Sequence, residues 1–142
     1  MFSLINFCDL LEKEYDLVRK DIMNAFCLTG AEVDILLFLE NNPQYKSAQE
    51  IVEVRKIAKS HVSMAIKGLI EKGFLKKEKD PNNLRVYHLE ILEEGKTVTV
   101  YGKKKQTKFF ENLFSDFSEE EIEEFKRLYH RMIKNMMKEK IS

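Results

Sequence analysis

Glycine and proline are scarce in this chain, five and two residues in 142. So few breakers argue against long disordered or low-complexity stretches, and no internal repeat at solenoid spacing is found. Cysteine is equally sparse, with only Cys8 and Cys27. Two thiols do not make the disulfide framework of a small secreted domain, so both are expected to be reduced, buried structural thiols. Long hydrophobic runs are missing as well. The longest clean one, Ile35-Leu36-Leu37-Phe38-Leu39, is far short of the roughly 18 residues a membrane helix needs. Met1 to Phe7 contain no basic residue and Asp9 interrupts any apolar core, so no targeting segment and no membrane partner are expected, and the expected location is cytoplasmic. Net charge is also absent: 24 basic and 24 acidic side chains cancel.

What is present is 44% hydrophobic and 34% charged residues, enough for a core within one helix-rich, integrated domain. The zero net charge hides a strong polarity. Residues 55 to 85 hold nine Lys or Arg against three acids, a local charge of +6. Residues 1 to 54 hold four basic and ten acidic side chains, and residues 111 to 124 hold seven acids and no base. A basic block between two acidic ones is either a solvated lysine face or the phosphate-binding surface that nucleic-acid affinity requires.

Apolar residues at Leu4, Cys8, Leu11, Tyr15, Val18 and Ile22 alternate in steps of four and three, the stripe of a helix over roughly Ser3 to Ala25. Thr29-Gly30-Ala31-Glu32 has capping-box spacing and opens a second helix, which Asn41-Asn42-Pro43 stops. Ser47-Ala48-Gln49-Glu50 opens a third, short helix through about Val54. After a turn near Arg55-Lys56-Ile57, a fourth runs from about Lys59 to Lys72. Its inward stripe is predicted to be Val62, Ala65, Ile66, Leu69 and Ile70, with Gly73 at the left-handed C-terminal position.

Beyond Gly73 the period shortens to two. Residues 74 to 79 and 85 to 91 read as strands joined by the turn residues Asp80-Pro81-Asn82-Asn83. Lys96 to Tyr101 is ambiguous, since its β-branched and aromatic residues favour a strand. Phe109, Phe110, Leu113, Phe114 and Phe117 resume helical spacing. Ser118-Glu119-Glu120-Glu121 then opens a final helix carrying Ile122, Phe125, Tyr129, Met132, Ile133, Met136 and Met137 on one side.

Helix, short turn, helix and basic hairpin is the order of a winged helix-turn-helix, whose second helix is narrow enough to enter the major groove. The stretch from Leu28 to Gly95 resembles the DNA-binding region of the MarR family. Leu28-Thr29 resembles its entry, Ser47-Ala48-Gln49-Glu50-Ile51 the start of its bracing helix, and Lys59-Ser60-His61-Val62-Ser63 that of its recognition helix. Leu69-Ile70-Glu71-Lys72-Gly73-Phe74-Leu75 resembles the exit into the wing, Asp80-Pro81-Asn82-Asn83-Leu84-Arg85 the wing motif, and Leu92-Glu93-Glu94-Gly95 the segment after it. The sequence departs from the family at Asn83, commonly Asp, at Leu84, often basic, at Ala58, often a capping Ser, and at Glu93, usually Thr. The resemblance also decides the ambiguous segment in favour of a helix from about Glu93 to Phe114.

The resemblance implies a mainly α protein with a small β-wing, about six helices and two or three strands. Residues 28 to 96 form the DNA-binding lobe, and residues 1 to 27 and 97 to 142 a helical dimerisation region. It implies a homodimeric regulator, more often repressor than activator, on a pseudo-palindromic operator of double-stranded DNA. Lys59, Ser60, His61, Ser63, Met64 and Lys67 would face the groove and Arg85 would tip the wing. A small, often aromatic effector would bind between the lobes; no cofactor is expected. The alternative is a winged-helix protein-interaction module, which would favour apolar residues over Lys59 and Lys67.

Other constellations carry less chemistry. His61, His88 and His130 sit on three different elements without ligand spacing, so no metal is expected. Cys8 lies where a peroxide-sensing branch of the family has its reactive thiol, but Asn6, Phe7, Asp9 and Leu10 offer no cation to activate it. The methionine stripe reads as core or dimer interface, and Glu119 to Glu124 as the acidic first turn of a helix. No nucleophile, phosphate loop or metal set accompanies those carboxylates, so no enzyme is expected.

Overall fold

Capping signals in the sequence coincide with helix starts in the computed structural model, which describes residues 3–141, with side chains to residue 138. The elements are α1 (Leu4–Phe26), α2 (Gly30–Asn41), α3 (Ala48–Arg55), α4 (Lys59–Glu71), β1 (Leu75–Asp80), β2 (Asn83–Ile91), α5 (Glu93–Leu113) and α6 (Glu119–Ile141). Thr29 and Glu32 form a reciprocal capping box at α2, and Ser47 and Glu50 form one at α3. At α6 the Glu121 amide donates to Ser118 Oγ at 3.1 Å while the Ser118 amide donates to Glu121 Oε1 at 2.8 Å. The fourth helix differs, starting from Ala58 without a side-chain cap.

The end of α4 is set by Gly73, whose φ of 79° is readily reached only without a Cβ. The Gly73 amide donates to Ile70 O and the Phe74 amide to Leu69 O, both at 3.0 Å, a Schellman closure that turns the chain into β1. The hairpin is antiparallel, pairing Leu75 with Ile91 and Lys77 with Leu89, and is irregular only at Lys79/Asp80 next to the turn. The sheet has two strands. Its free edge is partly used, because the Leu89 amide donates to Lys46 O at 2.7 Å.

Two compact units divide the chain, one ending at Thr107 and the other beginning at Lys108. The core of the first is built on α2, where Val33, Ile35, Leu36, Leu37, Phe38 and Leu39 are all buried. A helix apolar on most sides must be enclosed, and α1, α4 and β2 all contact it. Ile22, Leu28, Ile51, Val62, Ala65, Ile66, Leu69, Leu75, Leu89 and Val98 join it in this core. Arg19 clasps α1 to α2, with Nε 2.9 Å from Asp34 Oδ1 and Nη1 2.8 Å from Asp16 Oδ1. Residues 97–101 are helical: Val98 and Thr99 are fully buried, so tertiary packing overrides the local preference for a strand.

In the second unit an aromatic cluster closes the turn into α6. Phe114 lies 5.3 Å from Phe117 and 5.5 Å from Phe125, and Phe125 stacks on Tyr129 at 6.3 Å. Phe110, Phe117, Leu128, Met132, Met136 and Met137 remain exposed in the single chain.

Three burial expectations are corrected. Cys8 is exposed, because the α1 stripe gains cover only from Leu11 onward and is fully buried only at Ile22. Cys27 is exposed because it ends α1 in the left-handed region, φ 55°, and hands the core position to Leu28. Ile70 does not join the inward stripe of α4; it is 37% exposed and faces a cavity beside the hairpin.

Candidate nucleic-acid interface

Helical geometry decides what α4 presents. With 3.6 residues per turn, Met64 stands roughly 160° around the helix from Val62, and Val62 is fully buried. Lys59, Ser60, His61, Ser63, Met64 and Lys67 are all exposed, so the structure brings the six expected groove residues onto the solvent side of one helix. Ser63 and Lys67 lie on the flank turned toward the hairpin. There they line a cavity of about 470 Å³ together with Ala48, Ile66, Ile70 and Tyr87.

Two side-chain-to-backbone bonds shape the hairpin turn. Asp80 Oδ1 accepts from the Asn82 amide at 2.7 Å, and Asn83 Oδ1 from the Arg85 amide at 3.1 Å. Asn83 therefore fixes the backbone of Arg85 rather than its guanidinium, and Arg85 itself is exposed. Lys77 Nζ sits 4.4 Å from the centre of the Tyr87 ring, which braces the two strands beside the cavity.

Not every cation in the basic block is available to a partner. Lys76 bonds Glu78 at 2.9 Å and Glu90 at 3.0 Å, and these two hydrogen bonds, Glu78 first, hold its ammonium above the usual lysine range. Lys72 is spent inward, donating to Glu32 Oε1 at 2.7 Å and to Cys27 O at 3.0 Å. Among the described residues no ion pair engages Lys59, Lys67 or Arg85. Exposed cations without an acidic partner keep their full charge for phosphate.

A buried acid behind α4, Glu32, was missed by sequence reasoning. Glu32 is only 3% exposed. Its Oε1 accepts from the Thr29 amide at 2.8 Å as well as from Lys72, and its Oε2 lies so close to Gly68 that a Cβ there would come within 2.2 Å. Burial pushes the Glu32 carboxyl up, but the Lys72 ammonium and the Thr29 amide more than offset this, leaving it below its ordinary 4.5. One signal was legible: a glycine inside a helix costs about 1 kcal/mol against alanine and usually has a packing reason.

The three histidines are dispersed on α4, β2 and α6. His88 Nε2 lies 3.2 Å from Asp80 Oδ2 in the hairpin. Among the described residues no three His, Cys, Asp or Glu side chains gather as a metal set, and no single helix is long and apolar enough to cross a membrane.

A short bracing helix, a tight turn, a helix with a polar outer face and a returning hairpin together define a winged helix-turn-helix, the architecture of a DNA-binding regulator. Residues 28–85 match the sequence model of the MarR family. The uncharacterized HTH-type transcriptional regulator YybA of Bacillus subtilis (strain 168) is 30% identical over 136 residues, covering 96% of this chain and 90% of the relative. The HTH-type transcriptional regulator BilQ of Clostridioides difficile (strain CD3) is 23% identical over 120 residues, 84% of this chain and 80% of that protein. Among solved structures, a MarR-family regulator from Listeria monocytogenes complexed with 26mer DNA superimposes with a TM-score of 0.84 at 19% identity, covering 98% of this chain and 92% of that one. The chain belongs to the MarR family, and its class is the DNA-binding transcriptional regulator.

Proposed function

We propose that this protein is a homodimeric repressor that occupies a pseudo-palindromic operator. The observation that carries this reading is the polar outer face of α4 beside a basic hairpin, with Lys59, Lys67 and Arg85 exposed and engaged by no ion pair among the described residues. In it, α4 enters the major groove with Lys59, Ser60, His61, Ser63, Met64 and Lys67 toward base edges and phosphates, and Arg85 carries the wing to the neighbouring minor groove. A Listeria monocytogenes protein of the same fold was solved complexed with 26mer DNA, which supports DNA as the partner. Residues 28–96 act as the DNA-binding lobe, and residues 1–27 and 97–142 supply the dimer contact. A small, often aromatic molecule relieves binding.

Selection of bound sequences from a random duplex pool tests the reading. The expected result is an inverted repeat whose half-sites are centred about one helical turn, roughly 34 Å, apart. Affinity for it should fall steeply with salt and exceed that for random duplex by at least about a thousandfold. Recovery of no preferred sequence, with binding to duplex no stronger than that of an acidic control protein, would overturn it.

A further inference from the structure

We propose that Met64 reads the C5-methyl group of a thymine in each operator half-site; the proposal rests on the DNA-binding reading above. Met64 is 73% exposed, more than any other large apolar side chain of α4. It stands at the outermost line of the helix, with Ser60 and His61 one turn before it and Lys67 one turn after, all exposed and polar. Its own position is not adjustable from behind, since Val62 and Leu69 are fully buried and Ala65 and Ile66 nearly so. A thioether on this line therefore meets whatever lies at the floor of the groove.

The floor offers little choice. Base edges in the major groove present hydrogen-bond donors and acceptors at every pair, and their one apolar feature is the thymine methyl. A thioether sulfur is too weak an acceptor to replace water on an adenine or cytosine amino group, whereas a flexible methionine chain can cover a methyl. Met64 thus has one complementary partner on standard DNA. Ser60, His61 and Lys67, which donate, serve the polar edges around it.

The test uses the full-length protein and the selected operator, with each thymine replaced singly by deoxyuridine. That change deletes the methyl group and leaves the pairing edges intact. At one position per half-site the wild type should bind the deoxyuridine duplex about three- to fivefold more weakly, the size expected for desolvating one methyl group. Met64→Ala should bind the two duplexes alike, and Met64→Leu should keep the preference. Far-UV circular dichroism and a thermal unfolding midpoint of Met64→Ala matching the wild type show that the lobe remains folded, as expected for a side chain that is 73% exposed. Indifference of the wild type to every substitution, or an undiminished preference in Met64→Ala, would overturn the assignment alone. Failure to bind any duplex would overturn the regulator reading and Met64's role with it.

Discussion

Glu32 Oε1 lies 2.7 Å from Lys72 Nζ, joining the first turn of α2 to the residue that caps the C-terminus of α4. The same carboxylate closes the α2 capping box. One buried acid thereby fixes the start of α2 and the far end of α4, 40 residues away.

This pair should give stability a pH dependence. A carboxylate held below its unfolded value of 4.5 stabilises the fold above that pH, and the contribution is lost as pH falls through the folded value. Glu32→Gln keeps an acceptor for the Thr29 amide but removes the charge facing Lys72. It should cost about 1–2 kcal/mol at pH 7, discounted from a fully buried pair because Lys72 is 38% exposed. Urea denaturation at stepped pH checks this: the gap between wild type and variant should narrow below about pH 4.5, and a constant gap would contradict it.

Gly68→Ala should show a sign that depends on Glu32. Helix propensity alone favours alanine by about 1 kcal/mol. The added Cβ would fall 2.2 Å from Glu32 Oε2, and that oxygen belongs to a side chain held by two hydrogen bonds through Oε1. Overpacking should therefore win, with a net loss of about 1–3 kcal/mol. In a Glu32→Ala background the same substitution should become neutral or stabilising. Equal effects in both backgrounds, read by chemical denaturation, would deny the contact.

Lys67 and Arg85 should fail differently when removed. Lys67→Ala should weaken operator binding whatever the flanking sequence and lower the salt slope by about one unit per protomer. Arg85→Ala should weaken it most where the outer positions are A·T-rich, because a narrow, negative minor groove attracts a guanidinium. Each loss should be about 1–3 kcal/mol. Titrations on flank-swapped duplexes decide the matter. An Arg85→Ala penalty independent of flank composition would reduce the wing to a phosphate contact.

The apolar surface of the second unit should be covered by a second copy of the chain. Phe110, Phe117, Leu128, Met132, Met136 and Met137 are each more than 40% exposed in one chain, which is an aggregation liability unless buried between protomers. Sedimentation at micromolar concentration should show a dimer, and deletion of residues 119–142 should give aggregation or unfolding. A stable, folded monomer would contradict this.

Local chemistry determined much of this protein from sequence alone. Capping boxes at Thr29, Ser47 and Ser118, the stop at Asn42-Pro43 and the left-handed Gly73 are short-range interactions, readable because their partners lie within a few residues. The alternation of apolar and polar positions along α4 likewise puts Lys59, Ser60, His61, Ser63, Met64 and Lys67 on its outer side from sequence alone. Tertiary structure decided what depends on distant neighbours. It buried Val98 and Thr99 in a helix against their strand preference, left Cys8 and Cys27 exposed, and turned Ile70 toward a cavity. It also separated the free cations Lys59, Lys67 and Arg85 from Lys72 and Lys76, whose charges are bound by Glu32, Glu78 and Glu90. Burial and pairing are properties of surfaces that meet only when the chain folds, and no local pattern specifies which carboxylate a given lysine will find.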